Sequence, residues 1–226
     1  MAVGSKSFPQ DTATNSVSVS VTNLSGWAEV LVVFALLEAV LWTPRSVGHS
    51  VLIASVVVSV LWFAWRGHSR EELGLVWPSR RGSAWILGIG CAAAAAIPAA
   101  ALLLGQPVPA NPDWPKFQNL WPYVIWAFAQ QFLLLSFFYR RMESRVGTRS
   151  AVWASTILFT VAHLPNVTLT VMTFVGALFF TEMFRKYQSI YPLGVVHTLL
   201  GIAIAYSFPN SLMHHMRVGL SFWQLR

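Results

Sequence analysis

Charge is scarce in this sequence: 10% of its 226 residues are Asp, Glu, Lys or Arg, where an ordinary soluble domain carries roughly 25%. That shortage excludes a water-soluble globule. Cysteine is nearly absent as well, and the single Cys91, set in an apolar run, excludes an intramolecular disulfide framework and Cys-based redox or metal chemistry. The first 25 residues lack the basic start and long apolar core of a signal peptide. What is abundant is apolar surface: 55% hydrophobic residues, a mean hydropathy of +0.57 and eleven Trp. These describe an integral membrane protein, because Trp collects at the membrane–water interface. The net charge of +7 fits the same class. Its basic residues sit in short loops rather than along one soluble face, so they do not indicate a nucleic-acid partner.

Seven apolar segments follow a polar N-terminal tail over 1–25, in which Val alternates with Ser across Ser16–Thr22 and allows a short strand. They cover about 27–42, 51–65, 84–104, 123–139, 151–164, 167–184 and 190–208, several of them near the lower length for a span. The prediction is an all-α polytopic transmembrane helical bundle of about seven spans (six to eight). It forms one domain over 26–208 and ends in an amphipathic tail over 209–226 that lies along the interface. Gln106 to Pro122, rich in Pro and aromatics, reads as a surface loop. The basic residues alternate from loop to loop. Arg66, Arg70, Arg80 and Arg81 follow the second segment, Arg140, Arg141, Arg145 and Arg149 the fourth, and Arg185 with Lys186 the sixth; the opposite loops carry Arg45 and Lys116. Basic residues favour the cytoplasmic side, which puts the N-terminus there.

Polar groups inside such segments are costly and therefore mark candidate sites. Gln130 and Gln131 are adjacent carboxamides in the fourth segment, and an unpartnered buried amide costs a few kcal/mol. His163 in the fifth segment and His197 in the seventh are the candidate partners. Either the four form one polar cavity or they are a purely structural clasp between helices, of a kind worth roughly 0.6–2 kcal/mol. Two histidines with no third ligand fall short of a metal site, and no cofactor is expected. Glu38 in the first segment is either a further acid reaching that cavity or a residue at the membrane rim. Glu182, three and four residues before Arg185 and Lys186, reads as a helix-surface ion pair.

The order and spacing of these residues resemble the CPBP family, the CAAX-protease and bacteriocin-processing (Abi-type) membrane proteins. That family carries Glu-Glu-x-x-x-Arg on one helix, Phe-x-x-x-His on the next and His-x-x-x-Asn or Asp on a later one. Phe159 to His163 matches the second motif and His197 begins the third, while Arg70 to Leu75 is similar to a loop that often precedes the family's third helix. Gln130 and Gln131 stand at the two glutamates, Leu135 at the Arg and Gly201 at the Asn or Asp. The resemblance implies Gln130, Gln131, His163 and His197 at the catalytic positions; Glu38 is a candidate replacement acid from its place in the first segment and no part of the family motifs. The resemblance also implies a lipid-open cavity for a hydrophobic or prenylated substrate, membrane lipids as surroundings, and a bacterial inner (plasma) membrane. A carboxamide has no basic site near neutral pH, so a glutamate-based peptidase activity is expected to be lost or altered. Two other functions stay open: a non-peptidase enzyme acting on a lipid or isoprenoid through the His pair, and a catalytically silent scaffold or binding subunit for a membrane-protein partner.

Overall fold

The computed structural model describes the backbone of residues 13–110 and 117–224, and the side chains of 26–110 and 120–224. Within these residues the chain is all helical. The helices are α1 (Ala13–Trp42), α2 (Val47–Trp65), α3 (Arg80–Leu103), α4 (Phe117–Gln131), α5 (Arg140–Val146), α6 (Thr148–Val161), α7 (Val167–Tyr187), α8 (Tyr191–Ser207), α9 (Asn210–Met213) and α10 (Leu220–Trp223). A π-helical stretch, Phe132–Tyr139, joins α4 to α5 without a break, and a short 3-10 turn, His214–Met216, follows α9. Four helical stretches among the described residues are long and apolar enough to cross a membrane: Val47–Trp65, Arg80–Leu103, Leu120–Val146 and Val167–Tyr187. The polytopic helical bundle is the fold expected from the composition.

Several boundaries differ from the sequence reading. Helix α4 begins at Phe117 and carries Pro122 inside it, so the end of the expected surface loop is helical; residues 111–116 of that loop lie outside the described residues. The fourth span also runs on to Val146, because the arginines thought to stop it find partners. Arg140 Nη1 lies 2.6 Å from Glu143 Oε2, and Arg141 Nε lies 3.0 Å from Glu29 Oε2 on α1. The backbone is helical from Ala13, not extended over Ser16–Thr22, since lengthening a formed helix costs less than starting a new element. The first twelve residues of the expected tail lie outside the described residues.

Local chemistry starts the helices. Ser46 Oγ accepts from His49 N at 3.2 Å, Ser79 Oγ from Gly82 N at 3.1 Å and Asn166 Oδ1 from Leu169 N at 3.1 Å, each satisfying an amide that the first turn leaves unpaired. The core then forms around the π-helical stretch, where Leu134, Leu135, Phe137, Phe138 and Tyr139 are all fully buried. Helices α3 and α8 approach closely because Gly90 has no side chain; a Cβ there would sit 2.3 Å from Val196 Cγ2. Small residues at such crossings are how helices pack where lipid gives no hydrophobic drive.

The arginine-rich connections gather at one end. Arg140 donates to the carbonyl of Glu72 and to Gln188 Oε1, Ser136 Oγ donates to Leu73 O at 2.6 Å, and Ile190 N donates to Gly74 O at 3.0 Å. The α2–α3 loop, the start of α5 and the α7–α8 turn are thereby locked together. This leaves the opposite half of the bundle to hold the open space.

Candidate functional site

That space is a cavity of about 1110 Å³. Its walls come from α3 between Ile89 and Ala100, α4 between Tyr123 and Gln130, the end of α6, α7 between Leu169 and Phe180 and α8 between His197 and Ala205, and the segment after α8 closes one side. Sequence reasoning expected the fourth, fifth and seventh segments here; α3 and α7 contribute as much wall. Most of the lining is aliphatic or aromatic, and Ile89 on α3 with Val171 and Val175 on α7 are lining residues that are also exposed. The opening therefore lies on the outer, apolar surface of the bundle.

Gln130, His163 and His197 all line this cavity. Gln131 sits behind the wall, fully buried, with its Nε2 2.9 Å from His197 Nδ1. The adjacency of the two glutamines explains the split, since neighbouring helical residues point to different faces. If the amide Nε2 donates to Nδ1, the imidazole is neutral with its proton on Nε2; with the amide turned over, Oε1 accepts from Nδ1–H and Nε2 becomes the acceptor. In the first orientation Gln131 Oε1 is buried with no partner. His197 stacks on Phe180, centroids 5.3 Å apart and planes at 20°, so its ring is held from two directions.

His163 is held differently. Its Nδ1 lies 2.8 Å from Phe159 O, one turn back, and its ring packs 4.9 Å from that of Phe159. The spacing Phe159 to His163 thus supplies both the ring contact and the backbone anchor. No bond joins His163 to either glutamine. Among the described cavity-lining residues there is no Asp or Glu. Glu38 is not one of them: its Oε2 accepts from Trp42 Nε1 at 3.1 Å, and its Oε1 is buried without a partner. Glu182 makes the expected ion pairs, 2.7 Å to Arg185 and 3.3 Å to Lys186.

Residues 112–203, which hold both glutamines and both histidines, match the family model described as type II CAAX prenyl endopeptidase Rce1-like. Over that stretch this is a CAAX-protease-like membrane protein. No curated protein and no solved structure matches the chain. Within the CAAX-protease pattern, the position that resembles the last Asn or Asp holds Gly201, and the structure shows what fills the room. Tyr123 on α4 places its Oη 1.5 Å from where a Cβ of Gly201 would stand. Gly201 lies one turn beyond His197 on α8 and both line the cavity, as does Tyr123. Sequence reasoning passed over Tyr123, Arg217 and Asn166. The missing side chain at Gly201 was the one signal for Tyr123, while the other two depend on how the chain returns after α8.

The chemistry open to this site follows from its groups. Hydrolysis by a glutamate-activated water needs a carboxylate at the cavity, and the carboxamides cannot take a proton. The described lining side chains can donate and accept hydrogen bonds and orient a polar group, and the imidazoles of His163 and His197 are of the type that ordinarily exchanges a proton near neutral pH.

Proposed function

We propose that this CAAX-protease-like protein binds a hydrophobic, prenyl-type chain in its lipid-facing cavity and has lost glutamate-based peptidase chemistry. The observation that carries this is the cavity itself: about 1110 Å³, apolar over most of its wall and with no carboxylate among its described lining residues. Ligand cavities commonly run to roughly 300–1,000 Å³ with a few polar groups that fix orientation. Gln130, His163, His197 and Tyr123 are such groups here. A space this large also favours an occupied site over a packed structural clasp.

The experiment uses the full-length protein in nanodiscs. A farnesyl photoprobe carrying a diazirine is crosslinked and the modified peptides are mapped; labelling of α7 and α8 around Phe180 and His197, competed by unlabelled farnesol, is expected. Absence of competed labelling overturns the binding half of the proposal. A farnesylated peptide is offered in parallel, and wild-type cleavage that disappears in His163→Ala overturns the other half. Gln130→Glu with Gln131→Glu together are expected to raise cleavage above the wild-type background.

A further inference from the structure

One fixed charge borders this apolar space. Among the described lining residues, Arg217 is the only Lys, Arg, Asp or Glu, and it is exposed. Its guanidinium makes no salt bridge among the described residues, whereas Arg140, Arg141 and Arg185 each have a glutamate. Its position is nonetheless built. Asn166 is buried, N-caps α7 through Oδ1, and uses Nδ2 to donate to Met213 O at 2.9 Å and Arg217 O at 3.1 Å. Gly219 N donates to Leu164 O at 2.8 Å, and Arg217 N to His214 O at 3.0 Å. The segment after α8 is thereby fastened to the α6–α7 junction, three residues from His163. His215 and Ser221 line the same end.

We propose that Arg217 is the headgroup-binding residue of this cavity, and that the ligand is an amphiphile with a prenyl-type chain and an anionic head, carboxylate or phosphate. The inference rests on the chain-binding function proposed above and adds the charge of the head. A guanidinium presents two parallel N–H donors that match either anion. Beside a low-dielectric wall such a pair is screened less than at an open surface. The chain fills the space between α3 and α7, and the head stays at the mouth by Arg217, where it remains hydrated.

Farnesol, farnesoic acid and farnesyl monophosphate are compared by competition against the photoprobe, at neutral pH, on the full-length protein. The acid or the phosphate is expected to compete about tenfold better than the alcohol, and whichever gains more names the head. Arg217→Gln is expected to remove that preference and Arg217→Lys to keep most of it, with thermal melts confirming that each variant is folded. Should Arg217→Gln not fold, the Lys variant and the weakening of the preference with added salt carry the test. Equal competition by all three ligands overturns the anionic head while leaving chain binding standing, as does a preference that survives in Arg217→Gln. No competition by any of them overturns the chain-binding function itself.

Discussion

The Gln131–His197 contact can be tested by a double-mutant cycle. Gln131→Leu leaves His197 Nδ1 buried beside an apolar side chain, and His197→Phe keeps the stack on Phe180 but strands the carboxamide of Gln131. Each single change leaves a buried polar group unpaired and is expected to cost about 1–3 kcal/mol. The double variant leaves neither group behind. It also removes Gln131 Oε1, which has no partner at present, so its cost should be no larger than that of either single change. Interhelical polar pairs in membranes couple by about 0.6 kcal/mol on average and about 1.7 at most, and the stranded groups put this pair in the upper half of that range. A coupling of about 1 kcal/mol is a factor of about five in the unfolding constant. Reversible unfolding in mixed detergent–SDS micelles reads it directly. If the two single costs simply add in the double variant, the bond is not part of the folded protein.

Three further outcomes follow from named contacts. Gly201→Ala would put a methyl where Tyr123 Oη now lies; a cost of about 1–3 kcal/mol from overpacking is expected, and Tyr123→Ala in the same protein should restore part of the melting temperature. Glu29→Gln leaves Arg141 nearly buried without its counter-charge and should cost about 3 kcal/mol, read by the same unfolding assay, whereas Glu182→Gln on the surface should cost less than about 1 kcal/mol. His68, in the loop after α2, has its pKa lowered first by burial and then by the nearby Arg141 cation, with Arg140 adding to that and Glu72 and the Arg66 backbone opposing it. The unfolded chain takes up this proton near a pH of about 6.5 and the folded protein only below it. Stability is therefore present in full above that value and falls as the pH drops through it, and His68→Gln should flatten the slope of melting temperature between neutral and mildly acid pH.

The helices were legible because apolar runs of span length are a strong and local signal. Their ends were less so. Arg140 and Arg141 look like stop signals in the sequence, yet they continue the helix because Glu143 and Glu29 neutralise them, and Glu29 is distant in sequence. The site divides in the same way. Desolvation alone required a partner for Gln131, and His197 supplies it. For His163 the partner is local, a backbone carbonyl one turn back. Glu38 likewise finds a partner four residues on in Trp42 and not at the cavity. Arg217 was invisible as a lining residue because its place depends on Asn166 holding the returning chain, a pairing across 51 residues.

The π-helical stretch Phe132–Tyr139 lies between Gln131, which holds His197, and Arg140, which holds the α2–α3 loop to the α7–α8 turn. In such a stretch each amide reaches one residue further than in an α-helix, so the two faces of the span are out of the phase that α-helical counting gives. The end that lines the cavity and the end that anchors the loops consequently point by different phases, though they belong to one continuous helix. Residues at Gln131 and above can therefore change without re-aiming the arginines below.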